Sequence, residues 1–199
     1  MCIRDSVSIL ASKQYQAFTD GGSEVFDLAA QGRIDAFFLS GGQIDGQGNI
    51  NLVGTGTYPK MDVRWSGSFG SAFLYYLVPK VILFRLEHTP RTLVEQVDFI
   101  SSPGTSDANV YRRGGPYALV TNRCLFLFNK VSGRFELRST HPGENVATIR
   151  EQTGFDFDVS DDLQETQIPD ASVLELIRTK IASQLRDPYP NFVSTVFGD

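Results

Sequence analysis

Histidine and cysteine each occur only twice in this chain, and tryptophan once. His88 and His141 have no cysteine, histidine or acidic neighbour at metal-ligand spacing, so no metal cluster of the usual kinds is written here. Cys2 and Cys124 are too few and too isolated for a disulfide framework. Cys124 lies in the apolar run 118–128, where a thiol is expected to be buried and inert. No apolar run reaches membrane-spanning length, and no secretory signal pattern is present. The formal net charge of −5 comes without a lysine and arginine stripe to neutralise phosphates. Neither a nucleic acid nor a membrane is therefore expected as a partner, and a cytoplasmic location is. Gly54-x-Gly56 and Gly67-x-x-Gly70 lack both a βαβ context and a Walker lysine, and Gly67-Ser68-Phe69-Gly70 is one residue short of a serine nucleophile elbow.

What is present is ordinary for a globular α/β domain: 199 residues, 41% apolar and 21% charged. Val25, Phe26, Leu28 and Ala29 share one face of a helix over 23–31, which Gly32 can end. Residues 35–40 and 81–86 read as buried strands, the first covered on both faces as in a parallel sheet. Residues 73–78 fit helix or strand, and 102–115, broken by Pro103, Gly104, Gly114 and Gly115, is loop. Residues 117–128 and 134–139 around a turn at 129–133 read as a hairpin. Helices are expected over 145–153 and 170–185, the second capped by Asp170. Pro188 and Pro190 then signal an extended tail over 188–199.

The most informative stretch runs from Ala36 to Asn51, where a strand breaks abruptly into Gly41-Gly42-Gln43-Ile44-Asp45 and Gly46-Gln47-Gly48-Asn49-Ile50-Asn51. Glycines let backbone approach a neighbour or a ligand, and Gln43, Asn49 and Asn51 offer uncharged donors and acceptors at a strand end, where open α/β sheets bind ligands. The stretch resembles the GGAQID-x-x-GN-x-N signature of the beta subunits of family I CoA transferases, such as glutaconate CoA-transferase, with Gly42 in place of alanine. Three further runs resemble the same family in the same order. Residues 59–70 resemble PK-x-R-x-x-G-x-GG, with the arginine displaced to Arg64 and Phe69 in place of glycine; Asp98 to Gly104 resembles Asp-Phe/Tyr-Val/Ile-Thr-Ser-Pro-Gly, with Ser101 for threonine, and Thr153 to Asp158 resembles TGFDLD, with Phe157 for leucine.

The resemblance implies a mostly parallel α/β sheet flanked by helices, the NagB/RpiA-like CoA-transferase fold, over residues 7–187. It implies that the chain lacks the N-terminal part of that domain and that residues 1–6 are a foreign leader. The implied partner is an alpha subunit, and the implied substrates are an acyl-CoA and a carboxylic acid. Coenzyme A enters as a thioester substrate, without a separate cofactor. In the family a glutamate attacks the thioester and passes CoA on through a glutamyl-CoA intermediate. That chemistry requires a desolvated, positioned carboxylate and N–H donors aimed at the oxyanion. Where the beta subunit carries this glutamate it sits in a Glu-Ser/Asn-Gly motif, which is absent here. Glu24 reads as a helix N-terminal acid, and Glu87 as a strand-end residue close to the site. The catalytic residue is thus unassigned, and this stretch of chain alone is expected to be inactive. The substrate-binding set implied is Gln43, Asn49, Asn51, Gly67, Ser68, Phe69 and Gly70. Phe69 stands where relatives have glycine; it either narrows the acyl pocket or fills the interior. The chain is also similar to beta subunits of steroid-ring CoA hydrolases, so ring opening is the rival reaction, and a non-catalytic binding or scaffold subunit is the third reading.

Overall fold

The structure, a computed structural model, describes residues 19–186 and 189–198. The expectations for residues 1–6, the start at Val7 and Cys2 fall outside these. Residues 20–166 form one compact unit, and 167–198 belong to a second.

In the first unit, helix α1 (Gly21–Ala30) leads into β1 (Ala36–Leu39). Asp20 Oδ1 accepts the Ser23 N–H at 3.3 Å, and Glu24 Oε1, one residue beyond the capping-box position, accepts the Asp20 N–H at 2.8 Å, a reciprocal cap that gives Glu24 its place. Short strands β2 (Gln43–Ile44) and β3 (Ile50–Asn51) pair antiparallel, as do β4 (Gly54–Thr55) and β5 (Val63–Arg64). Helix α2 (Ser71–Leu77) precedes β6 (Lys80–Arg85), β7 (Pro116–Thr121), β8 (Cys124–Asn129) and β9 (Arg134–Thr140). Helix α3 (Val146–Gln152) and β10 (Asp158–Glu165) complete the unit.

The main sheet has the order β1-β6-β7-β8-β9-β10. Strands β1, β6 and β7 run parallel, as do β9 and β10, while β8 is antiparallel to both neighbours, so the sheet is mostly parallel as expected. One rung of aligned residues, Leu39, Leu83, Leu119, Phe126, Leu137 and Val159, crosses all six strands. Its first five members are at most 2% exposed. The adjacent rung, beginning Phe38 and Ile82, points to the other face because side chains alternate along a strand. Phe38 there is 54% exposed, so cover on both faces of β1 is not what the structure shows, and β1 ends the strand order among the described residues.

Other elements refine or depart from the sequence reading. Residues 73–78, open between helix and strand by pattern, fall in helix α2 up to Leu77, with Leu74 and Tyr75 buried on its inner face. Residues 117–128 are two strands, because Thr121 Oγ1 accepts the N–H groups of Arg123 and Cys124 at 3.1 Å each and turns the chain there. Strand β10 has the polar sequence DVSDDLQE, which carries no apolar alternation and is held by its pairing with β9.

In the second unit, α4 (Ala171–Leu176), a π-helical stretch (Ile177–Ile181) and α5 (Ala182–Leu185) are consecutive, and Asp170 caps them by accepting the Val173 N–H at 2.9 Å. The expected extended tail is instead helix α6 (Pro190–Phe197). Pro190 stands at its first turn, where a missing N–H costs nothing and the fixed φ suits a helix.

Candidate functional site

The amide side chains after β1 are all buried: Gln43 and Asn49 are 6% exposed and Asn51 0%. Asn51 uses its whole hydrogen-bonding capacity. Its Nδ2 donates to Gln43 Oε1 at 2.7 Å and Gly54 O at 2.6 Å, and its Oδ1 accepts Val53 N–H at 2.9 Å and Gly54 N–H at 3.3 Å. Gln43 Oε1 also accepts the Asp98 N–H at 3.0 Å. Asn49 donates to Asp45 Oδ2 at 3.0 Å and accepts the Gly104 N–H at 2.9 Å. These amides tie the β2–β3 hairpin to the 98–104 loop, which Ser101 fastens again by donating to Ile50 O at 2.8 Å.

The two other sequence runs join the same framework. Trp65 N–H reaches Val53 O at 2.9 Å and Gly67 N–H reaches Leu52 O at 3.1 Å, while Gly154 N–H reaches Leu93 O at 2.7 Å. Gly42 lies beneath the Trp65 indole so closely that a methyl group would overlap the ring. The glycine standing in place of alanine therefore makes room for a side chain of this protein. All four runs thus converge on the β2–β3 hairpin, next to the carboxyl end of β1.

The turn at 67–70 is where backbone is left over. Gly67 has φ +99 and open space around its Cα, and Phe69 is the one non-glycine residue with positive φ among those described, at +42. Apart from the Gly67 N–H, no acceptor among the described residues takes the N–H groups of Ser68, Phe69 or Gly70. Phe69 is 76% exposed, so it does not fill the interior.

Glu87 is committed to ion pairs. Its Oε1 accepts from Arg91 Nη2 at 2.6 Å and Nε at 3.1 Å, with Arg85 Nη2 at 3.4 Å from Oε2, and the Arg91 hydrogen bond holds its carboxyl below the ordinary glutamate value. Such a carboxylate is a poor nucleophile, because its charge is already stabilised.

Beside it, His88 is 2% exposed between two threonines. Thr153 donates its hydroxyl proton to Ile149 O at 2.7 Å, so at 2.8 Å it must accept from His88 Nε2–H. Nδ1 is then bare and accepts from the Thr121 hydroxyl at 2.8 Å. Burial, with the Arg123 guanidinium adding to it, lowers the imidazole pKa to about 4. Cys124 Sγ lies 3.8 Å from Nδ1, and burial pushes the thiol up to about 12, so it is not a nucleophile. An unfolded histidine titrates near pH ~6.5, so the His88 contribution is complete above that pH and is lost as pH falls toward about 4, amounting to about 3 kcal/mol. Urea midpoints should fall over this interval, and a His88→Gln chain should lose that part of the slope. An unchanged slope in the variant would assign the acid sensitivity to carboxylates instead.

Sequence reading had no signal for Trp65 over Gly42, nor for Arg112. The Arg112 guanidinium spans 103–106 by donating to Pro103 O at 2.7 Å and Thr105 O at 3.0 Å, and stacks on Tyr75 at 5.2 Å.

Comparison with known proteins agrees with this arrangement. The family model for coenzyme A transferase matches residues 5–152, and the chain belongs to that family. It is 31% identical over 151 residues to the B-subunit of glutaconate CoA-transferase from Acidaminococcus fermentans, covering 72% of this chain and 56% of the relative. The crystal structure of that organism's glutaconate CoA-transferase superposes with TM-score 0.68 at 26% identity, covering 79% of this chain and 63% of its own. The chain is also 28% identical to the cholesterol ring-cleaving hydrolase IpdB subunit of Mycobacterium tuberculosis, covering 82% of this chain and 66% of the relative. A variant of the decarboxylase AibA/AibB superposes with TM-score 0.68 at 28% identity, covering 78% and 61%. The chain thus spans between half and two thirds of the length of these relatives. No helix among the described residues is long and apolar enough to cross a membrane.

Proposed function

We propose that the protein is the beta-type subunit of a cytoplasmic CoA transferase, moving coenzyme A between an acyl-CoA and a carboxylic acid together with an alpha-type subunit. The observation that supports this most is the 67–70 turn. It presents three consecutive N–H groups without a protein acceptor among the described residues, Ser68, Phe69 and Gly70, and is anchored by the Gly67 N–H on Leu52 O. Donors held in place in this way suit the oxyanion that forms when a carboxylate attacks a thioester carbonyl. Glu24 and Glu87 are both engaged within the chain, so in this reading neither supplies the attacking carboxylate.

In this reading the glutamate oxygen bonds to the acyl carbon and CoA leaves as thiolate, giving an anhydride. The thiolate then attacks the glutamyl carbonyl and expels the first carboxylate, and a second carboxylic acid reverses the sequence. Gly67, Ser68, Phe69 and Gly70 line the reacting carbonyl. Asn49 and Asn51 act through the loops they hold, with side chains bonded to protein groups, and Gln43 holds its loop through Oε1.

The test is the full-length chain co-expressed with its neighbouring alpha-type subunit. A complex on size exclusion is expected, together with acceptor-dependent appearance of a new CoA ester. Borohydride should inactivate the complex only in the presence of acyl-CoA, by reducing the glutamyl-CoA thioester. Water-dependent opening of a cyclic acyl-CoA without CoA transfer would instead establish the hydrolase reading, which the similarity to the IpdB subunit favours. Binding without either reaction would leave a scaffold subunit.

A further inference from the structure

Phe69 has no evident purpose in the fold. A residue with a β-carbon at φ +42 is conformationally strained, and this ring is 76% exposed, so little apolar burial offsets the strain. Among the described residues its aromatic neighbour is Phe26, with ring centroids 5.7 Å apart. Phe26 in turn meets Phe73 edge-on at 5.6 Å, and Phe73 is itself 46% exposed. Gly70 sits against the Phe26 ring so closely that a side chain there would overlap it, which lets the aromatic group close up to the turn. Trp65, two residues before Gly67 in the chain, is seated over Gly42. The turn thus carries a cluster of three rings, Phe69, Phe26 and Phe73. The neighbouring cation in the sequence, Arg64, donates Nη1 to Val53 O at 3.2 Å.

An acyl group with an alkyl or aryl end would bury apolar surface against these rings. One ending in a carboxylate would lose hydration against these phenyl rings, which offer it no hydrogen-bond donor. We propose that Phe69, backed by Phe26 and Phe73, is a specificity-determining residue that selects acyl-CoA thioesters with an apolar acyl group over those carrying a second carboxylate. This rests on the reading of the 67–70 turn as part of an acyl-CoA site.

The full-length chain with its alpha-type subunit, as wild type, Phe69→Gly and Phe69→Asn, is assayed with butyryl-CoA and glutaryl-CoA. Glycine and asparagine both tolerate the left-handed backbone, so both variants should fold. Wild type should favour butyryl-CoA, and both variants should shift the ratio of kcat/KM toward glutaryl-CoA by about 10- to 100-fold. Trp65, the chain's one tryptophan, reports binding of the same two thioesters by fluorescence without any turnover. A wild type that turns over neither thioester but shows the binding preference, lost in the variants, would refute the transferase reading and leave the selector standing. Unmoved binding and kcat/KM ratios in the variants would overturn the selector, whatever the reaction. Weaker association with the alpha-type subunit at unchanged ratios would also overturn it, making Phe69 a subunit contact.

Discussion

Replacing Gly104 by alanine is expected to destabilise the chain by about 3 kcal/mol or more, read as a fall in the urea midpoint at constant m-value. A β-carbon at this position would overlap the Gln47 carbonyl oxygen and lie 2.6 Å from the Gly48 carbonyl carbon and 2.8 Å from its oxygen. These are backbone atoms of a turn that cannot retreat easily. Asp45 Oδ1 holds the N–H groups of Gln47 and Asn49 at 3.0 Å each, and the Tyr75 hydroxyl donates to Gly48 O at 2.7 Å. Any shift of the 98–104 loop away from the clash would also break the Gly104 N–H bond to Asn49 Oδ1. Gly133→Ala is the control. Gly133 has open space around it and φ +66, so only left-handed strain of about 1 kcal/mol is expected. Equal losses for the two variants would show that backbone crowding at Gly104 is not the cause.

Asn51→Asp is expected to cost about 3–5 kcal/mol at neutral pH although it changes the side chain by a single heavy atom. The Nδ2 of Asn51 faces two acceptors, Gly54 O and Gln43 Oε1. Gly54 O cannot donate, and Gln43 Oε1 already accepts the Asp98 N–H, so its amide cannot flip without losing that bond. An oxygen in place of Nδ2 meets two oxygens at full burial, and the introduced carboxyl is forced toward its neutral form. Its folded pKa lies above the unfolded one, so the destabilisation grows as pH rises through the unfolded aspartate value near ~4 and levels off above the folded value. Denaturation of variant and parent at pH 5 and pH 8 should show a larger gap at pH 8. A gap independent of pH would mean that the carboxylate has found a cation or water, and that the direction of the Asn51 hydrogen bonds is not what specifies the position.

Much of the fold is legible in local pattern. Asp170 and Asn145 stand at the helix N-termini that they cap, with their side chains accepting Val173 and Thr148 N–H groups. The run 81–86, read as a buried strand, does form β6 up to Arg85, but only Val81 and Leu83 are fully buried and Phe84 is 36% exposed, a difference between faces that the uniformly apolar residues 81–84 do not show. The failures have two causes. Strand β10 is polar because as the last strand of the sheet it buries little, so its order comes from hydrogen bonds to β9 that no local pattern records. Pro190 reads as a helix breaker in isolation, because proline is compatible with both an extended segment and the first turn of a helix.

The candidate site divides in the same way. Residue types alone mark Gln43, Asn49, Asn51 and the 67–70 turn as polar or conformationally special, and the order of four runs along the chain identifies the family. Those properties are local: amide groups must find partners when buried, glycine permits backbone that other residues resist, and a motif is a linear object. Which partners the amides take was decided by tertiary structure, because Gln43 and Asp98, or Asn49 and Gly104, are 55 residues apart and meet only when the hairpin packs on the loop. The same holds for the Trp65 ring above Gly42 and for the exposure of Phe69, since whether an aromatic side chain is core or surface depends on what the rest of the chain brings against it.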